Sequence, residues 1–248
     1  MTIAILSALP EEQAGWVETL QGVRGTRHAG RQFWQGRWQG AGEGAGAGHD
    51  LVCALSGIGK VAAATTAAAL IERFGVTRIV FTGVAGGVGA GVQVGDVVVA
   101  SEYLQHDLDV SPLFPRWELP GYGRTRLACD PVMSAALHAA SQQCVGSAAR
   151  AHHGLVVSGD QFVGTALASQ ALRAGLEAAG HAVLAVEMEG AAVAQTCHDY
   201  GVPFAAMRTI SDRADDSASV DFADFVRNVA SRYAQHILTG FLQRLPQA

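Results

Sequence analysis

The sequence predicts an α/β fold, specifically a single-domain three-layer sandwich spanning residues 1–248, with a central mixed, mainly parallel sheet flanked by helices. Three observations lead there. Short apolar runs of strand length alternate with longer stretches of helical pattern, as in chains that build parallel sheets from βαβ units. Thirty glycines in 248 residues supply the tight turns such units need. A hydrophobic share of 49% against 16% charged residues excludes a disordered chain and provides a core for one domain of this length.

In chain order, Ile3 to Leu9 is an apolar run of strand length. Pro10-Glu11-Glu12 then places proline and two acids where a helix begins, and the pattern predicts a helix to about Leu20. Arg31 to Gln39 alternates Phe33, Trp34 and Trp38 with polar residues as a strand does, and Leu51 to Leu55 reads as another. The glycine tract from Gly40 to Gly48 reads as the turn between them. Ser56-Gly57-Ile58-Gly59-Lys60 opens an alanine-rich helix reaching about Phe74. Ile79 to Thr82 is a buried strand ending in the glycine run Gly83 to Gly91, and Asp96 to Ala100 is the next strand. Pro112 to Tyr122 reads as a long loop, a lid or an interface element. Gly154 to Val157 is a strand, Ala166 to Ala179 a helix, Ala182 to Val186 a strand, Gly190 to Asp199 a helix, and Phe204 to Ile210 a strand. A long amphipathic helix from Asp221 to about Leu242 closes the domain.

Composition narrows the partners. A formal charge of −5 and the absence of a Lys/Arg cluster along a helix face argue against nucleic acid. Cys53, Cys129, Cys144 and Cys197 form no Cys-x-x-Cys pair and read as reduced thiols. The N-terminal segment lacks the charged region of a signal peptide, and no run approaches the roughly 18 apolar residues of a membrane span. These features point to a cytoplasmic protein with a small-molecule ligand and no membrane association.

Several motifs fail on inspection. A Walker A loop would need glycine at position 54 and Ser or Thr at 61, where Ala54 and Val61 stand. Gly87-x-Gly89 lacks a third glycine at Val92 and leads into a strand, so it is no dinucleotide fingerprint. His106-Asp107-Leu108-Asp109 has no companion histidine pair at ligand spacing, which leaves surface or turn histidines and no metal.

Carboxylates remain as the reactive groups. Glu187 and Glu189 interrupt the apolar run Leu184 to Ala194, and an unpaired buried carboxylate costs several kcal/mol, roughly. They either cap the following helix or serve a site. Glu11 and Glu12 likewise read as helix-start acids or as functional ones, with the helix dipole expected to keep Glu12 ionised. In a parallel sheet ligands gather at strand carboxyl ends, and Glu12, Ala85, Phe162, Glu189 and Asp212 all fall just beyond separate predicted strands. Two acids in different environments suit glycosyl chemistry, one protonating a leaving group and the other activating water.

Taken together, the segments Ser7-Ala8-Leu9-Pro10-Glu11-Glu12, Ser56-Gly57-Ile58-Gly59-Lys60, Thr82-Gly83-Val84-Ala85-Gly86-Gly87, Ser158-Gly159-Asp160-Gln161-Phe162, Val186-Glu187-Met188-Glu189 and Ser211-Asp212 span nearly the whole chain. In this ordered set the chain resembles the 5'-methylthioadenosine/S-adenosylhomocysteine nucleosidases, of the purine nucleoside phosphorylase-like fold. The resemblance implies hydrolysis of the N-glycosidic bond of a 5'-substituted adenine nucleoside, without metal or cofactor, in a homodimer. Residue by residue, it implies that Glu12 activates water and Asp212 protonates adenine N7, with Ser211 orienting Asp212. Glu189 would hold the ribose hydroxyls, with Glu187 as a buried partner or secondary contact. Phe162 would stack on adenine and Val163 would offer backbone contacts. Met188, Leu9 and Ile58 would line the sugar and 5' side, with Ala85 and Gly86 beneath the ribose. Leu9 stands where the family often has methionine, Pro10 replaces an acid, and the Pro112 to Gly123 segment differs. These departures bear on which 5' substituent fits (methylthio, homocysteinyl, 5'-deoxy or a futalosine-type group), not on the reaction.

Two rival readings stay in view. A phosphorylase on the same fold would need cations for phosphate, whereas Glu11 and Glu12 follow the first strand. A non-catalytic nucleoside-binding protein would have lost one of the acids, yet Glu12 and Asp212 are both present.

Overall fold

The computed structural model describes residues 1–40, 48–145, 149–215, 217–218, 222, 225 and 231–245. Its strands are β1 (Thr2–Ser7), β2 (Gln21–His28), β3 (Arg31–Trp38), β4 (His49–Leu55), β5 (Arg78–Gly87), β6 (Val97–Gln105), β7 (Leu127–Ala128), β8 (Ala151–Ser158), β9 (Val183–Glu187) and β10 (Phe204–Asp212). The helices are α1 (Pro10–Gln13), α2 (Lys60–Phe74), α3 (Pro131–Val145), α4 (Ala166–Ala178), α5 (Gly190–Tyr200) and α6 (Ser231–Arg244). Strands and helices alternate along the chain in an α/β arrangement. Most of the glycine tract, residues 41–47, lies outside the described residues, as does most of the 219–230 part of the expected closing helix.

The sheet is mixed, and part of it closes on itself. Strand β5 pairs with β10 along one edge, from Ile79 to Gly86. Its other edge carries β1 at Ile79–Phe81 and β9 at Gly86 and Gly87. The strands β10-β6-β8-β9-β5 therefore form a ring, and β1-β4-β3-β2 extend from β5 as a wing. The expected α/β arrangement with a mixed sheet is therefore present, but the sheet closes in part and antiparallel ladders are as prominent as parallel ones. The ladders β5–β9, β6–β10, β2–β3 and β3–β4 are antiparallel, and β5 serves ring and wing together. The glycines at 83, 86 and 87, expected to end that strand, instead lie inside it, where missing side chains allow bending and close approach.

Both faces of the sheet are covered. Leu6, Phe33, Phe81 and Ile79 pack with Leu70 of α2 and Val193 of α5 on one side. Ile3, Ile5, Val80 and Met207 pack with Leu137 of α3 and Phe241 of α6 on the other. Each such fully buried side chain contributes about 1.5–3 kcal/mol. Helix α2 ends at Gly75, whose left-handed φ of 63° lets its N–H bond Ile71 O while Val76 N reaches Leu70 O.

Three local outcomes differ from the sequence reading. The first helix stops at Gln13 because Ala14 is extended and Gly15 turns left-handed at φ 76°; a 3-10 turn, Val17–Thr19, follows. Strand β2 is an almost wholly exposed edge without apolar alternation, so no pattern marks it. Helix α3 begins at Asp130-Pro131, whose carboxylate accepts Met133 N, a legible start signal that the strand-helix pattern above passes over. No described helix is long and apolar enough to cross a membrane.

Candidate active site

The carboxyl ends of β1, β5, β8, β9 and β10 surround a cavity of about 320 Å³, and all twelve residues singled out in the sequence line it. Leu9 and Glu12 come from the turn after β1, Ile58 from the turn before α2, and Ala85 and Gly86 from the end of β5. Phe162 and Val163 follow β8, Glu187, Met188 and Glu189 span the β9–α5 turn, and Ser211 and Asp212 end β10. Ala85 and Asp212 thus lie within their strands, not beyond them.

Glu12 does cap its short helix, folding back so that Oε2 accepts the N–H groups of Ala8 and Leu9, both at 2.8 Å. Its Oε1 reaches across to Val84 N at 3.1 Å, tying β1 to β5. The sequence expectation that this acid stays readily ionised is corrected by the structure. Burial raises its pKa and outweighs the lowering by Arg208 and by the amides of Leu9, Val84 and Ala8. A single helical turn has too small a dipole to offset that desolvation. Glu11, by contrast, is exposed.

The two carboxylates of the β9–α5 turn have different surroundings. Glu187 is tied inward: its Oε2 accepts Arg208 Nη2 at 2.6 Å, Ser158 Oγ donates to Oε1, and the amides of Glu189 and Gly190 close on it. Glu189 faces the cavity with one backbone bond, from Gly59 N to Oε1 at 2.8 Å. Burial raises the Glu189 pKa most, the neighbouring Glu187 and Glu12 add to the rise, and Arg208 and the Gly59 amide oppose it. The opening alternatives for this pair therefore divide, Glu187 capping the helix and Glu189 presenting its carboxyl to the cavity.

Arg208 is the site residue that sequence reasoning missed. It lies 1% exposed, with Cζ 4.0 Å above the Phe81 ring. Burial works against its charge, but Tyr103 and the glutamates at 187, 189 and 12 outweigh it and hold the guanidinium protonated. A charged residue inside the run Phe204 to Ile210 is itself the signal that could have found it. Gly83 makes room for the cluster. A Cβ there would lie 2.8 Å from Arg208 Nη1 and 2.9 Å from Glu12 Oε1, so both groups sit over bare backbone.

A further carboxylate of the cavity comes from β10. Asp212 accepts Ser211 Oγ at 2.8 Å through Oδ2 and Ala214 N at 2.8 Å through Oδ1. Phe162 lines the same cavity, edge-on to Phe222 with ring centroids 6.2 Å apart. Phe222 also packs with Leu9 and Val84. Of the other sequence candidates, His106 is buried at a turn, its amide bonded to Ser158 O, and is no surface histidine. No residue of the Pro112 to Tyr122 segment lines the cavity; Trp117 donates from Nε1 to His106 O and Tyr122 bonds Asp199.

A cavity lined by glutamates with a guanidinium buried behind them, and by a hydroxyl-held acid and aromatic side chains, has groups that can stabilise a cationic sugar and protonate a planar base. Comparison with known proteins agrees with this chemistry. Residues 2–243 match the model of the phosphorylase superfamily. A 5'-methylthioadenosine/S-adenosylhomocysteine nucleosidase of Shewanella denitrificans is 36% identical over 91% of this chain and 92% of its own. The structure of such a nucleosidase from Colwellia psychrerythraea, in complex with adenine, superposes with a TM-score of 0.88 at 33% identity, covering 99% of this chain and 96% of that one. Futalosine hydrolase of Helicobacter pylori superposes with a TM-score of 0.84 at 29% identity, covering 97% of each chain.

Proposed function

The chain belongs to the phosphorylase superfamily and, within it, to the 5'-methylthioadenosine/S-adenosylhomocysteine nucleosidases, and on that premise we propose how its residues divide the work. It is a hydrolase of N-glycosyl bonds, cleaving the bond between adenine and the 5-substituted ribose. Breaking that bond leaves positive charge on the sugar and negative charge on the base.

In this reading Glu12 is the general base toward water. Its raised pKa makes it a stronger base near neutrality than an ordinary glutamate. Arg208 Nη1, without a hydrogen-bond partner among the described residues, lies on the same bare stretch of β5 and orients that water with it. Glu189 holds the ribose hydroxyls, Ala85 and Gly86 pass beneath the ring, and Met188, Leu9 and Ile58 surround the 5' side. Asp212, held by Ser211, delivers a proton to N7 of adenine, while Phe162 stacks on the base and the Val163 backbone contacts it. Glu187 serves as the buried counter-ion of Arg208.

The observation that supports the assignment is that Glu12 and Asp212 line one cavity, each held by hydrogen bonds in its own way. We take residues 1–248 as one cytoplasmic domain, a reading supported by the single sheet that reaches from β1 to β10 and by four unpaired thiols. A homodimer is supported by exposed apolar side chains, Ile58 (57%) and Phe162 (53%) lining the cavity and Leu113 (83%) on the long loop. The test is adenine release from methylthioadenosine with and without inorganic phosphate. Equal rates with a free sugar product are expected. Dependence on phosphate and a sugar 1-phosphate product would replace hydrolysis by phosphorolysis, and the same assay on futalosine and 5'-deoxyadenosine ranks the 5' groups.

A further inference from the structure

Outside the cavity, three polar residues form a closed ring. The Lys60 backbone N–H donates to Asp160 Oδ1 at 2.8 Å. The Asp160 N–H donates to Asp107 Oδ2 at 2.9 Å, and Asp107 Oδ1 takes Lys60 Nζ at 2.6 Å. Lys60 Nζ also reaches Gln105 Oε1 at 3.0 Å. Lys60 and Asp107 have side chains only 17% and 24% exposed, so the pair is largely shielded from solvent. Burial alone would raise the Asp107 pKa, but the bonds from Lys60 and from the Asp160 amide, with the Lys60 charge, hold it below the usual carboxylate range.

The ring joins two segments that are adjacent to the site but remote in sequence. One is the turn before α2, where Gly59, at φ 99°, sends its N–H to Glu189 Oε1 and Ile58 lines the cavity. The other leaves β8 through Asp160 and reaches Phe162 and Val163 two and three residues later. A Cβ on Gly59 would approach Asp160 Oδ1 to 3.2 Å, so the two segments already touch. Successive N–H groups at the start of α2 are thus shared, Gly59 serving the ribose-side carboxylate and Lys60 the base-side loop.

We propose that Lys60 and Asp107 are positioning residues that set the distance between the ribose clamp at Glu189 and the base wall at Phe162, so that a nucleoside spanning both is held in one register. The proposal rests on the nucleosidase reading for the identity of the ligand, but the ring itself is independent of that chemistry. It also assigns a purpose to Lys60, which a phosphate-loop reading leaves unused.

The experiment measures KM and kcat for methylthioadenosine, and the dissociation constants of adenine and of a non-hydrolysable methylthioadenosine analogue, in wild type and ring variants. Asp107→Asn turns an amide donor toward either Lys60 Nζ or the Asp160 N–H and opens the ring; Lys60→Met opens it from the other side should the first variant fold poorly. In both, KM and the analogue's dissociation constant should rise about tenfold while kcat stays within about twofold. Adenine, which touches only the base wall, should bind within about twofold of wild type. The double variant should be no weaker than Asp107→Asn alone, as expected for members of one network, and Lys60→Arg should restore most of the affinity. Unchanged analogue affinity in both single variants, or a parallel loss for adenine and the analogue, would overturn the proposal. Failure of the nucleosidase reading would appear differently, as a wild type that releases no adenine, and the analogue titration would still test the ring.

Discussion

The groups proposed above for the sugar end of the cavity and those proposed for its base end are made of different materials. The sugar end gathers Glu12, Glu187, Glu189 and Arg208 from three separate turns and strands, and every one of them is hydrogen-bonded to backbone or to each other. The base end uses one carboxylate, one hydroxyl and aromatic walls. Groups that are to meet a developing cation have to be built into a dry framework, where burial raises the pKa values of Glu12 and Glu189 and Arg208 partly offsets the rise. A proton that is delivered once per turnover needs only an oriented acid. On the proposed roles, the sugar end is expected to be structural and catalytic together and the base end catalytic alone.

The largest expected effect that separates the ends is on stability. Arg208→Met leaves Glu187 and Glu189 without their cation and should destabilise the protein by about 3–5 kcal/mol in denaturant titration. Ser211→Ala, at the other end, removes one hydrogen bond and should cost only about 1 kcal/mol. Equal losses would erase the contrast.

A smaller effect sharpens it through pH. Glu189 and Glu12 have pKa values raised above the ordinary 4.5, so between that value and their folded values the native protein holds protons that the unfolded chain has released. Their stabilising contribution is present in full below 4.5 and is lost as pH rises through the folded values. His106, His153 and His181, whose pKa values burial lowers, act in the opposite sense. Subtracting the profile of Glu189→Gln isolates the acid. The wild type should lose stability relative to that variant between about pH 5 and about pH 8. A difference independent of pH would mean that Glu189 is not held protonated in the free protein.

Much of this site was legible because Glu187 and Glu189 break an apolar run, Glu12 and Asp212 follow predicted strands, and the ordered motifs around them resemble those of a known family. Helix α2 was legible from its alanine run, and α5 from the apolar residues after Glu189. The closure of the sheet was not, because the pairing of β5 with β10 joins residues more than a hundred positions apart and leaves no local pattern. Arg208 was hidden because the run before it, Phe204 to Met207, is wholly apolar and reads as core. The Lys60–Asp107 pair was obscured for a different reason: Lys60 looked like a failed phosphate-loop lysine, and Asp107 like a failed metal ligand, and only the fold brings them to 2.6 Å. Strand β2 owes its conformation to pairing with β3, not to its own residues.

The division of labour between the two ends is tested most directly by changing the leaving group. Glu12→Gln and Asp212→Asn are each assayed on methylthioadenosine and on a p-nitrophenyl 5-methylthioriboside, whose phenolate departs without protonation. Glu12→Gln should lose about 10³-fold in kcat on both substrates, because both need an activated water. Asp212→Asn should lose about 10²-fold on methylthioadenosine and little on the p-nitrophenyl compound. If Asp212→Asn slows both substrates equally, or if Glu12→Gln keeps full turnover, the two ends do not hold the roles given to them here.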